Sequence, residues 1–93
     1  MNKKRGKQML VGLTANNCQK CGMLKAVIRD MQAAKHILWY NAQEHMDLCR
    51  KLGIKSVPAL LVYDRASDEL PAQVITDIQE AIDFVSNYTS PNE

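Results

Sequence analysis

Long apolar runs are missing from this sequence. No stretch approaches the roughly 18 residues that a membrane-spanning helix needs. At the start, the charged MNKKRGKQ gives way only to MLVGL, too short for the apolar segment of a secretory signal, and no small-residue cleavage site follows. The expected location is the cytoplasm. Charge of one sign is also missing: 12 Lys and Arg stand against 10 Asp and Glu, which selects no class of partner. Aromatic residues are scarce, with one Trp, three Tyr and one Phe. None lies near the basic cluster Lys3, Lys4, Arg5 and Lys7, so the basic-aromatic interleaving of a nucleic-acid surface is absent. That cluster reads as a solvated, frayed terminus. Glycine and proline number only 4 and 3, and there is no linker, repeat or low-complexity stretch. Cysteine is scarce and odd in number, at 3. The dense, even set of a secreted disulfide scaffold is therefore excluded.

What remains is enough for one domain. A chain of 93 residues buries a modest core without needing a staple. The expected domain covers 1–93, with a basic segment at 1–7 and a tail at 89–93. QMLVGLT (8–14) reads as a buried strand. From Cys18 to about Ala34, the positions Cys21, Leu24, Ile28 and Met31 form one helical stripe. HILWY (36–40) reads as a second strand. QEHMDLCRKLG (43–53) reads as a second helix, with His45, Leu48, Cys49 and Leu52 on its buried stripe and Gly53 as its C-terminal cap. SVPALLVYD (56–64) is a third strand. RASDE turns the chain into a weaker strand, PAQVIT (71–76), where Pro71 suits a start or an edge. A last helix runs from Thr76 or Asp77 to about Tyr88. Either Thr76 with Gln79 or Asp77 with Glu80 has the capping-box spacing. The order β-α-β-α-β-β-α predicts a mixed four-stranded sheet with helices on both faces. Its first two strands are parallel through a right-handed crossover, and its last two are antiparallel.

The stretch NNCQKCGMLK (16–25) holds the close cysteine pair, Cys18 and Cys21. A structural zinc site needs about four ligands, and the pair supplies two. Cys49, His36 and His45 remain, but Cys49 and His45 fall on the expected buried stripe. A metal shared across a dimer stays open, and so does a plain structural disulfide. The redox reading outweighs both on geometry. With Cys18 at the first turn of a helix, Cys21 lies one turn on, within disulfide reach. Cys18 is then outward and Cys21 inward, the asymmetry that thiol–disulfide exchange uses. The helix N-terminus and the nearby Lys20 both favour a thiolate at Cys18.

CQKC after the first strand and GIKSVPALLVYD (53–64) together resemble the thioredoxin and glutaredoxin superfamily, over nearly the whole chain. The resemblance implies a thioredoxin fold and a cis Val57–Pro58 bond facing the cysteines. It implies that Val57 and Pro58 frame the substrate, whose backbone pairs with Val57 as a short added strand. Gln19 and Lys20, between the cysteines, join that substrate surface. Lys25, seven residues after Cys18, is spaced as in glutaredoxins and adds positive potential near the thiolate. Asp77 keeps the helix-start position beside which glutaredoxins hold glutathione. The chain departs from both branches. Asn17 precedes the pair where thioredoxins carry Trp. VGLT lacks the buried carboxylate that thioredoxins place in this strand, and VITD (74–77) lacks the Gly-Gly turn of glutaredoxins. The implied activity is a dithiol–disulfide oxidoreductase reducing protein disulfides, ribonucleotide reductase among them, in electron transport and cell redox homeostasis. The implied reductant is a thioredoxin reductase or glutathione. No metal or bound cofactor, nucleic acid or membrane is expected, and the expected state is a monomer. The alternatives are a non-catalytic binding module of the same fold, or a redox sensor. Cys49 is expected as a buried helix residue and Trp39 as packing. His36 and His45 have no acid or thiol placed for catalysis.

Overall fold

The computed structural model describes residues 8–65 and 67–88. The basic segment 1–7 and the tail 89–93 lie outside the described residues. The elements are β1 (Met9–Thr14), α1 (Gln19–Arg29), β2 (Ile37–Asn41), α2 (Met46–Leu52), β3 (Ala59–Tyr63), β4 (Gln73–Ile75) and α3 (Ile78–Asn87). The sheet order is β2-β1-β3-β4. β1 runs parallel to β2 and antiparallel to β3, and β3 runs antiparallel to β4. The α/β order and the mixed four-stranded sheet are those the sequence predicts.

Alternation along the strands builds two cores. Leu10 on β1, with Leu60 and Val62 on β3, faces Leu24 and Ile28 of α1 and Ala81 and Val85 of α3. Val11, Leu13, Leu61 and Tyr63 face the other way, toward Leu48, Cys49 and Leu52 of α2. Every residue of β3 is buried, as expected of an inner strand covered on both faces.

Several boundaries differ from the sequence reading, for local reasons. The first helix does not run to Ala34. It ends at Arg29 with Asp30 as its cap, Met31 is extended, and a short 3-10 helix, Gln32–His36, leads into β2. The β-branched Val27 and Ile28 followed by Asp30 weaken the helix there, and the tighter turn buries Ala33 instead. His36 thus closes the 3-10 helix rather than opening a strand. The second helix does not begin at Gln43. A 3-10 turn, Ala42–Glu44, precedes it, and His45 sits before α2 with φ −133° and ψ 44°. His45 therefore does not join the buried stripe. Its ring stacks on Tyr40, with centroids 4.5 Å apart. Gly53 ends α2 at φ 70°, the left-handed conformation that glycine adopts freely. The third strand is shorter than 56–64, because residues 56–58 form a bend and a cis proline before β3. Asp77 caps α3, its carboxylate accepting the Glu80 N–H at 3.0 Å, while Gln79 bonds Asp83 instead.

Candidate functional site

β1 delivers the chain to the cysteines. After Thr14, Asn16 and Asn17 turn it, with Asn17 at φ 58°, a region that asparagine tolerates better than most side chains. Cys18 then caps α1 from an extended conformation. Its sulfur accepts the N–H of Cys21 at 3.2 Å, and its carbonyl accepts the N–H of Gly22 at 3.2 Å. A cap position leaves N–H groups and partial positive charge pointing at the sulfur. Cys21 lies one turn on, with a Cα–Cα separation of 5.2 Å, and the two are joined as a disulfide. Cys21 is 3% exposed, on one stripe with Leu24 and Ile28. Cys18 is half-buried and more open.

Two flanks hold this pair. On one, the Val57–Pro58 bond is cis, and the Val57 carbonyl oxygen is 4.0 Å from the Cys18 sulfur. A disulfide sulfur has no proton to donate, so in this oxidised state the two are neighbours and not hydrogen-bond partners. On the other flank, an open cleft of about 540 Å3 is lined by Thr14, Ala15, Asn17, Gln19, Gly22 and Lys25 together with both cysteines. The turn before Cys18 is tied to the end of β2. Asn41 Nδ2 donates to Asn16 Oδ1 at 3.3 Å, Asn41 Oδ1 accepts the Gln43 N–H at 2.8 Å, and His45 Nδ1 is 3.1 Å from the Asn41 carbonyl oxygen.

The structure brings together Cys18, Cys21, Gln19, Lys25 and Val57. Pro58 is buried behind Val57. Lys20 is exposed on the first turn of α1 and does not line the cleft. Asp77 is exposed, occupied in capping α3, and outside the cleft lining. Cys49 is half-buried rather than buried, packed at the edge of the core under α2. Among the described residues, no group of three or more His, Cys, Asp or Glu is arranged to hold a metal ion. Sequence reasoning missed Gly12, Thr14, Asn41 and the placement of Trp39. Lys25 Nζ stands 5.2 Å over the Trp39 ring, within cation–π range. A Cβ on Gly12 would overlap that ring. The available signal was a glycine in the middle of an apolar strand, which marks a close approach.

A thioredoxin family model matches residues 2–87 of the chain. Solved structures share the fold. The reduced thioredoxin pre-protein of Schistosoma mansoni aligns with a TM-score of 0.67 at 13% identity, over 91% of this chain and 82% of that one. An oxidised mitochondrial thioredoxin of Saccharomyces cerevisiae aligns at 0.62 and 13%, over 91% and 82%. A mutant thioredoxin of Halobacterium salinarum aligns at 0.61 and 20%, over 90% and 76%. At these identities the likeness concerns the fold alone. No curated protein matches the chain in sequence.

Proposed function

This chain belongs to the thioredoxin family, and from that premise we propose that it is a dithiol–disulfide oxidoreductase that reduces protein disulfides through Cys18 and Cys21. The observation that carries the reading is the asymmetry of the pair. Cys18 is half-buried at a helix cap, and Cys21, one turn behind it, is 3% exposed.

The Cys18 thiolate attacks one sulfur of the substrate disulfide. A Cys18–substrate S–S bond forms, and the other substrate sulfur leaves as a thiolate and takes a proton from water. Cys21 then loses its proton, and its thiolate attacks the Cys18 sulfur. The mixed disulfide breaks, the second substrate sulfur leaves, and the Cys18–Cys21 bond closes. Two electrons pass to the substrate, and a thioredoxin reductase or glutathione returns them. Lys20 and Lys25 favour the thiolates. Val57 and Pro58 receive the substrate backbone, with Gln19 and Lys20 beside it. Asp77 marks the helix start that a glutathione moiety would face. No helix among the described residues is long and apolar enough to cross a membrane, and the proposed setting is the cytoplasm, with the chain acting as a monomer.

The test is insulin reduction, with the protein supplied in turn with a thioredoxin reductase system and with glutathione plus its reductase. Turnover is expected with one of them. Cys18→Ser should abolish it, while Cys21→Ser should trap mixed disulfides. Absence of turnover with both reductants would overturn the proposal.

A further inference from the structure

Side chains on an α-helix lean toward its N-terminus. Lys25, one turn past Cys21, therefore reaches back along the stripe that carries the cysteines, and it lines their cleft. Its ammonium rests over the Trp39 ring. The ring lies there because Gly12, its partner across the parallel β1–β2 pair, has no side chain to displace it. Trp39 is half-buried and packs against the core under α1. Among the described residues, Lys25 forms no ion pair, and no carboxylate lines the cleft. A carboxylate partner would cancel the charge of the ammonium at a distance. A ring face holds it and leaves the charge whole.

We propose that Trp39 is a positioning residue of the thiol chemistry: it holds the Lys25 ammonium beside the cysteine pair, where the uncompensated cation stabilises the Cys21 thiolate. The inference rests on the oxidoreductase reading and deepens it. Cys21 needs the help, because burial to 3% exposure disfavours a charged sulfur. In the resolving step its proton passes to water before its thiolate attacks the Cys18 sulfur, and the cation lowers the cost of that ionisation. The other ionisable groups on the packed elements do not line the cleft. On α1 they are the exposed Lys20, Arg29 and Asp30. β1 brings none, and β2 brings Tyr40, which packs on the opposite face of the sheet. The 3-10 helix brings the exposed Lys35 and the half-buried His36, the latter 5.8 Å from the Tyr88 ring. α3 brings Glu80 and Asp83, exposed, with Asp77 at its cap.

The experiment loads Cys18 as a mixed disulfide with thionitrobenzoate and follows single-turnover release of the chromophore by Cys21 against pH. It needs neither reductase nor protein substrate, so its outcome is separable from that of insulin reduction. Trp39→Leu and Lys25→Met are each expected to raise the apparent pKa of release by about one unit, slowing it about ten-fold near neutral pH. Lys25→Arg should keep close to the full rate, since arginine also stacks on a ring, and Trp39→Phe should lose only about three-fold. The double variant Trp39→Leu/Lys25→Met should be no slower than Lys25→Met alone, because the two residues act as one device. A Trp39→Leu profile superimposable on that of the unmodified chain, or effects that simply add, would overturn the proposal. Should Trp39→Leu not fold, a Lys25→Met profile equal to that of Lys25→Arg overturns it just as directly.

Discussion

On one face of the sheet, α1 and α3 together seal Leu10, Leu60 and Val62. On the other, α2 alone lies over Val11, Leu13 and Leu61. The two covers differ in depth. α1 and α3 drive Cys21, Leu24, Ile28, Ala81 and Val85 to full burial, whereas none of the residues of α2 is fully buried. The cysteine pair stands at the seam. Cys21 belongs to the sealed side, while Val57 belongs to the side under α2. In the proposed reaction this division has a use. The resolving sulfur needs a fixed, sheltered setting, and the substrate needs an open edge. The tightly packed face supplies the first, and the thinly covered face supplies the second.

The most direct way to break this comparison is to cut one leucine from each face. Leu24→Ala removes a side chain that is 2% exposed and leaves a cavity beneath the pair, at an expected cost of about 2–5 kcal/mol. Leu48→Ala, from a half-buried site on α2, should cost only about 1 kcal/mol. Urea unfolding of both variants with the disulfide reduced measures the difference. Equal losses would mean that the two faces are sealed alike, and the division of labour would fall.

Much of this asymmetry was legible in the sequence, and what was not had a physical reason. The stripe Cys21, Leu24 and Ile28 is a helical period with no competing pattern, so its burial follows from spacing. The relative directions of the first two and of the last two strands follow from which runs are separated by a helix and which by a turn; the order β2-β1-β3-β4 does not. His45 misled, because its spacing to Leu48, Cys49 and Leu52 continues the helical stripe. The 3-10 turn at Ala42–Glu44 breaks that phase, and ring stacking on Tyr40 rewards the break. Trp39 escaped for another reason. Its place depends on a glycine 27 positions earlier and on the register that sets Gly12 beside it. Register is a tertiary fact, and no local window contains both residues. The Asn16–Asn41 bond escaped in the same way. Asp77 was legible only as one of two candidate caps, since Thr76 with Gln79 has the same spacing, and the capping bond it makes says nothing of a ligand.

The helix caps sharpen the comparison at a smaller scale. Asp77 caps α3 through its carboxylate, while α2 begins without any side-chain cap bond. Asp77→Ala should therefore cost about 1 kcal/mol, with Asp77→Asn and Asp77→Ser recovering most of it. Thermal unfolding of the three variants provides the measurement. Equal losses in all three would show that the oxygen acceptor at the cap contributes nothing, and the contrast between the helix starts would be only geometric.

The smallest expected effect again sets one residue from each face side by side. Tyr63 packs on the α2 face and Tyr88 on the face of α1 and α3. Burial pushes the Tyr63 hydroxyl above the ordinary tyrosine value of 10.0, and the charge of Tyr40 pushes it further; burial alone pushes Tyr88 up. The sign follows from proton linkage. Above pH 10 the unfolded chain gives up these protons while the folded chain still holds them. The folded state then binds more protons, so stability falls as pH rises through this window and is unaffected below it. Denaturation midpoints followed from pH 9 to 11 should decline, and Tyr63→Phe and Tyr88→Phe should each flatten the decline. The Tyr63 variant should flatten it more, since two causes act on that hydroxyl and one on the other. Tyr88→Phe also removes a hydroxyl 3.4 Å from the Gln8 carbonyl oxygen, so its loss of stability near neutral pH is subtracted before the slopes are compared. A slope that neither substitution changes would mean that the tyrosines of both faces titrate as they do in the unfolded chain.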